Sequence, residues 1–292
     1  MACRDTLNFS MFAKIIPPVP PAPVVPPESA APAVEPVKEK AKKDNPTVAL
    51  GPIATPFFGV DTTTGADTVL QHNLTMFEWV VRNKTHPNFW GRNINGKTPL
   101  TLAELEFIHG IVGCKVAAIY QIENPKKAQT EQEGETDGQK AVRLARDLGF
   151  YEGNAIFAAV GKDTNVTDTY MRGYIQSLLA SGFTPGMYAN TDAHFDFCHM
   201  FSRGFRENTE LFRQCLIWAA SPNLPAYTDT TDAHLVHPDY WGPHSPSCLR
   251  QDDIAIWQYG ARCNPVNDYL GAPASFHINL IKDVDIIVDK ML

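Results

Sequence analysis

No CxxC pair occurs in this chain: its six cysteines, Cys3, Cys114, Cys198, Cys215, Cys248 and Cys263, are scattered. That spacing excludes a disulfide scaffold and the usual zinc sites, and leaves buried thiols as the default. A bridge between Cys248 and Cys263 would need an oxidising compartment. No apolar run approaches the roughly 18 residues of a membrane span. Positive charge is in deficit, with 25 Lys and Arg against 32 Asp and Glu for a net charge of −7. Binding a phosphate backbone needs a basic face, so nucleic acid is excluded as a partner. GxGxxG, P-loop and GxSxG motifs are all absent, which removes nucleotide cofactors and a hydrolase elbow. His194, His199, His234, His237 and His244 make a metal site imaginable, but HExxH and other paired ligand spacings are missing, so neither metal nor cofactor is expected. The opening residues MACRDTLNFSMFAKIIPPVPP lack a basic segment followed by an apolar one, and no signal peptide is evident. An extracellular, cell-surface or particle-associated location would therefore need a non-classical route.

What is present divides into two parts. Ten of the 23 prolines fall in the first 46 residues. Residues 1–50 read as an extended Pro-rich arm, which cannot build a helix or a ladder. It serves either as a plain tail or as a tether, with DTLNFSMFAKII (5–16) as a short apolar peptide for docking on a protein partner. Residues 51–292, in a chain 44% hydrophobic and 10% aromatic, form a domain able to bury a sizeable core.

Within that domain short apolar runs alternate with amphipathic segments. Strands are expected over 56–61, 89–94, 115–121, 155–161, 184–190, 216–221 and 253–260, with INLIKDVDIIVD closing the chain. Helices are expected over 68–82, 101–113, 138–149 and 167–182, and a polar loop over 129–138. Thr167 or Asp168 supplies an N-cap for the last of these helices. Alternation of this kind implies a parallel sheet, and the number of units fits a (β/α)8 TIM-type barrel better than two small domains.

Barrel chemistry sits beyond the carboxyl ends of the strands. Taken in order, those ends carry Asp61, Arg92 with Asn93, Gln121 with Glu123, Lys162 with Asp163, Asn190 with Asp192, Ser221, and Gln258 with Tyr259. Trp90, Tyr120, Tyr188 and Trp257 lie among them. Such a ring suits a sugar-binding mouth, since aromatic faces stack on pyranose rings while amides and carboxylates take up hydroxyl groups. Charged residues also end strands simply because loops are solvated.

The order of the pieces GVDTTTG, GRNINGKTPLTLAELEFI, KVAAIYQIEN, the helix over 138–149, AIFAAVGKD, GFTPGMYAN and IWQYG resembles bacterial glycoside-hydrolase-like barrel domains of largely unassigned function. Those are relatives of the family 25 muramidases, which cleave peptidoglycan. The resemblance spans roughly residues 56–289 and implies an incomplete (β/α)8 barrel with a glycan-facing mouth. It implies that Asp61 is the aspartate closing the first strand, that Arg92 is the arginine of the second-strand pair, and that Trp257, Gln258 and Tyr259 form the late W-Q-Y strand.

The departures bear on activity. Relatives carry an acid where this chain has Ala159-Val160-Gly161, and the closest match to an aspartate near the last strand is Asn279, with Asp283 and Asp285 following as alternatives. Cleaving a glycoside normally takes one protonated acid and a second carboxylate. Glycine offers neither, and asparagine cannot exchange a proton. Asp163 lies two residues further on, the same face but about 6–7 Å along a strand, and Glu123 is the other spare carboxylate. The reading is a peptidoglycan-directed barrel with degraded carboxylates. If it is an enzyme, Asp61 acts with Asp163 or Glu123; Arg92, Trp90, Tyr120, Gln121, Tyr188, Asn190, Trp257, Gln258, Tyr259 and Asn279 are the candidate glycan contacts. The alternative is a non-catalytic binding or structural subunit of a larger assembly, tethered by its arm.

Overall fold

The computed structural model describes residues 57–83, 86–112, 114–123, 130–161, 164–193, 195–222, 228–229 and 238–292. The Pro-rich arm lies outside them. Eight strands close into a barrel in sequence order. They are β1 (Phe57–Asp61), β2 (Phe89–Asn93), β3 (Lys115–Gln121), β4 (Ala155–Val160), β5 (Thr184–Ala189), β6 (Leu216–Ala220), β7 (Ile256–Asn267) and β8 (Pro273–Ile281).

Neighbours from β1 to β7 pair in parallel, but β8 runs antiparallel to both β7 and β1. A tight hairpin makes that reversal. Within it the Asp268 carboxylate accepts from the amides of Leu270 at 2.9 Å and Ala272 at 2.8 Å, and Gly271 takes φ +89°. The middle of β8 therefore lies at the mouth, with His277 opposite Asp61, while its first residues run on beside the last residues of β7.

Helices α1 (Met76–Asn83), α2 (Leu102–Phe107), α3 (Glu131–Asp147), α4 (Asp168–Ala180), α5 (Asp196–Glu207), α6 (Thr209–Phe212) and α7 (Val284–Ile287) complete the fold. A π-helical turn, Ile108–Val112, extends α2. Three expectations shift. The strand read over 253–260 is β7, Ile256–Asn267, which starts after a 3-10 turn at Gln251–Asp253 and runs on past the mouth. The helix read from residue 68 begins at Met76, because Val69 bridges to Thr75 and Leu70 to Asp268. Most of the polar stretch expected as a loop over 129–138 is the first part of α3, started by a capping box in which Thr130 and Glu133 satisfy each other's backbone amides. Thr167 caps α4, accepting from the Tyr170 amide at 3.1 Å. Helices α3 and α4 touch backbone to backbone: a Cβ on Gly134 would lie 2.0 Å from the Tyr170 carbonyl oxygen. Among the described residues no helix is long and apolar enough to cross a membrane.

Each strand is buried on both faces. Outward side chains such as Val60, Trp90, Val116, Tyr120, Met187, Trp257 and Tyr259 join the layer beneath the helices. Inward ones such as Phe89, Ala117, Ile119, Phe157 and Trp218 fill the barrel. Trp218 is their centre, with its ring 5.9 Å from Phe89, 5.4 Å from Phe157 and 5.0 Å from Tyr188. Ile287 and Met291 close the opposite end, and the last residue pairs with β3 through reciprocal bonds between Leu292 and Val116.

Candidate functional site

Above Trp218 the inward positions become polar. Asp61, the last residue of β1, is 5% exposed and is the sole Asp or Glu within the eight described strands. Its partners come from across the barrel. Asn279 on β8 donates Nδ2–H to Asp61 Oδ1 at 2.8 Å, and Tyr188 on β5 reaches Oδ2 at 3.3 Å. Nδ1 of His277 lies 3.5 Å from the same Oδ2. Tyr188 also bonds to Gln258 Oε1 on β7.

The direction of the Asn279 amide is fixed chemically. Trp218 Nε1–H donates to Asn279 Oδ1 at 2.8 Å, and an indole nitrogen can only donate. The amide nitrogen must then face Asp61. Gly91 leaves room for this arrangement: a Cβ there would lie 2.5 Å from the Trp218 ring and 2.8 Å from Asp61 Cβ. Burial, then the neighbouring Asp61 charge and the bond to it, hold the Tyr188 phenol well above its usual range. It acts as a neutral donor.

A second polar group lines the mouth at β2 and β3. Gln121 Nε2–H donates to Asn93 Oδ1 at 2.9 Å, while the Gln121 amide donates to Asn95 Oδ1 at 2.7 Å. Asn190, one step past β5 and in phase with Tyr188, accepts from the Asp192 amide at 2.9 Å. Asp192 stands 3.6 Å from Nδ1 of His244 at the same rim.

Of the residues expected at the mouth, Asp61, Gln121, Tyr188, Asn190, Gln258 and Asn279 share the inward phase. Trp90, Arg92, Tyr120, Trp257 and Tyr259 do not, because a strand alternates its faces and these occupy the outward positions. Arg92 is buried against Glu104 of α2, with Nε to Oε1 at 2.7 Å and Nη2 to Oε2 at 3.0 Å. Tyr120 donates to Asp137 of α3 at 3.1 Å. The indole of Trp257 donates to the Ser221 carbonyl at 3.1 Å and packs on Trp241, whereas Trp90 and Tyr259 sit in the outer core. Glu123 pairs with Lys140 of α3 on the exposed side of the β3 loop. Asp163 lies outside the described residues.

Two inward residues were not anticipated. Trp218 reads as a core residue of an apolar strand. His277 has no strand-end signal in an all-parallel reading, because it lies in the middle of β8, whose reversal is what turns it to the mouth.

A closed α/β barrel with one buried aspartate among amides and aromatic rings at its mouth fits a glycoside-hydrolase-like domain, and the family comparison carries that assignment. The model of the Rv2525c-like, glycoside hydrolase-like domain matches residues 78–267, and the chain belongs to that family. The match runs from α1 to the end of β7, so Asp61, His277 and Asn279 lie outside it. No curated protein matches the chain. Among solved structures, an uncharacterized protein of B. stearothermophilus is 26% identical, with a TM-score of 0.63 over 81% of this chain and 100% of that one. The spore cortex lytic enzyme SleM of Clostridium perfringens is 11% identical, with a TM-score of 0.49 over 84% of this chain and 71% of that one. The modular autolysin LytC of Streptococcus pneumoniae is 13% identical, with a TM-score of 0.41 over 79% of this chain and 50% of that one.

Proposed function

We infer that the mouth of this barrel binds a glycan of the peptidoglycan type and holds it without two-carboxylate cleavage. The observation that carries this is the setting of Asp61. Its carboxylate is buried and engaged by Asn279 and Tyr188, while the inward positions at the end of β4 carry Ala159 and Gly161. Glycoside cleavage by an acid and a nucleophile or base needs carboxyl groups roughly 5–10 Å apart across the bond. Asp61 instead acts as the fixed acceptor that organises Asn279, Tyr188 and His277 around the ligand. The amides of Asn93, Gln121 and Asn190 offer donors and acceptors to sugar hydroxyls, and the resemblance to relatives of the family 25 muramidases supplies the glycan class.

Purified peptidoglycan tests the reading through two measurements on the full chain, cosedimentation and release of reducing ends. Binding without release is expected, with binding weakened in Asp61→Asn. Release of reducing ends that disappears in Asp61→Asn and in Asp163→Asn would overturn the reading in favour of a hydrolase. Failure to bind any glycan would favour the structural subunit instead.

A further inference from the structure

The Tyr188 hydroxyl carries one proton and stands among three acceptors. They are Asp61 Oδ2 at 3.3 Å, Nδ1 of His277 at 3.5 Å, and Gln258 Oε1. If Nδ1 were bare, that proton would be the only one that the described side chains offer to Asp61 Oδ2, Nδ1 and Gln258 Oε1. Turning the Gln258 amide round removes one acceptor, yet a carboxylate oxygen and a ring nitrogen would still share that single proton. A proton on Nδ1 resolves the shortage. Asp61 Oδ2 then lies 3.5 Å from a protonated Nδ1, and the Tyr188 hydroxyl is released to Gln258. The other Asp61 oxygen is already served by Asn279.

With the proton on Nδ1, Nε2 is the nitrogen left to exchange with a ligand. Accessibility agrees, since the His277 side chain is 30% exposed and that of Asp61 only 7%.

We propose that His277, held through Nδ1–H by Asp61, is the proton-exchanging group of this mouth, and that its protonated ring admits a carboxylate-bearing sugar. The proposal rests on the glycan-binding reading above. With a neutral ring, Nε2 accepts from a sugar hydroxyl, and the Asp61 charge beside the ring repels a ligand carboxylate. Protonation converts Nε2 into a donor and offsets the Asp61 charge, so the same carboxylate gains a charge-assisted hydrogen bond. Imidazole is the side chain that makes this change between pH 5 and 8; a second one at the rim, His244 beside Asp192, stays in place in His277→Gln, so that variant separates the two. The other groups facing the ring do not replace it. Tyr188 stays protonated over that range, and Asp229 is paired with Arg262 of β7 at 2.5 Å. A neutral sugar hydroxyl can donate or accept and is indifferent to the switch.

The test compares two oligosaccharides of equal length by calorimetry on the full chain at pH 5 and pH 8. One contains N-acetylglucosamine alone; the other alternates it with N-acetylmuramic acid, which carries a carboxylate. Affinity for the neutral ligand should change by no more than about twofold, and affinity for the acidic one should fall about tenfold or more as pH rises, the scale of one unit charge acting at short range. His277→Gln should abolish that fall. A flat acidic ligand, or a fall that persists in His277→Gln, overturns the proposal while leaving glycan binding intact. If neither ligand binds at either pH, the glycan reading fails and takes the proposal with it. Independently of ligand, nitrogen NMR of the neutral His277 ring should show the proton on Nδ1; a proton on Nε2 overturns the assignment.

Discussion

Replacing Arg92 by methionine separates an outward structural role from a place in the mouth. Its guanidinium bonds twice to Glu104, donates Nη1–H to the Thr62 carbonyl at 2.9 Å and Nη2–H to the Thr98 carbonyl at 3.1 Å. The two side chains are 1% and 3% exposed. Methionine fills much of the same volume but leaves the Glu104 carboxylate buried, with the Ala66 amide at 2.9 Å and the Thr101-capped first turn of α2 as its surroundings. Removing one partner of a buried pair costs about 3–5 kcal/mol, and the two deserted carbonyls push the value to the upper end of that range. For a barrel of this size each kcal/mol lowers the melting temperature by about 2–4 °C, so a drop of about 10–20 °C is expected. Adding Glu104→Gln removes the stranded charge and should recover about 2 kcal/mol, read as coupling in a double-mutant cycle. Thermal and denaturant unfolding measure both steps. Glycan affinity, taken well below the variant's transition, should stay within about twofold of the parent. An Arg92→Met variant of unchanged stability that has lost glycan binding would refute the outward placement.

Three other perturbations address the site and the fold. Asn279→Asp puts a second carboxyl where an amide now stands 2.8 Å from Asp61. The pair must retain a proton that the unfolded chain releases, so stability should fall by about 3–4 kcal/mol as pH rises from about 4 to 7, measured by denaturant titration along that range. Gly91→Ala pushes a methyl group into Trp218 and Asp61; it should cost about 1–3 kcal/mol and weaken glycan binding, and an unchanged unfolding midpoint would contradict the packing. Burial holds the phenols of Tyr120, Tyr170, Tyr174 and Tyr188 far above their usual range. The unfolded chain releases those protons first, so stability should decline above about pH 10, and absorbance titration should show the four ionising together with unfolding.

The positions of the first six strands were legible because each is a short apolar run closed by turn residues; of β7 only the apolar first part was, since its second half, from Ala261 to Asn267, is not an apolar run. The face on which each side chain sits was not. In a barrel both faces of a strand are buried, so apolar residues do not alternate with polar ones and strand ends give no phase. Trp90 and Arg92 thus looked like neighbours of Asp61, although β2 turns them toward the helices. Asp61, Gln258 and Asn279 were legible through the resemblance, and their meeting in one hydrogen-bonded chain is a result of the closed sheet. His277 was hidden by topology: placing it at the mouth requires knowing that β8 runs backward. The start of α3 was hidden by composition, since its charged first turns are polar enough to pass for a loop, although Thr130 and Glu133 stand at the capping spacing.

The plugged end of the barrel has a practical consequence for handling the protein. Phe57, where the described barrel begins, and Leu292, its last residue, border the same groove on the face away from Asp61. A label, linker or solid support joined at Leu292 is thereby directed away from Asp61, and an immobilised molecule presents its mouth outward. The same geometry warns against trimming that end, because Met291 and Ile287 are the stopper of the inner core and their loss would admit water beneath Trp218.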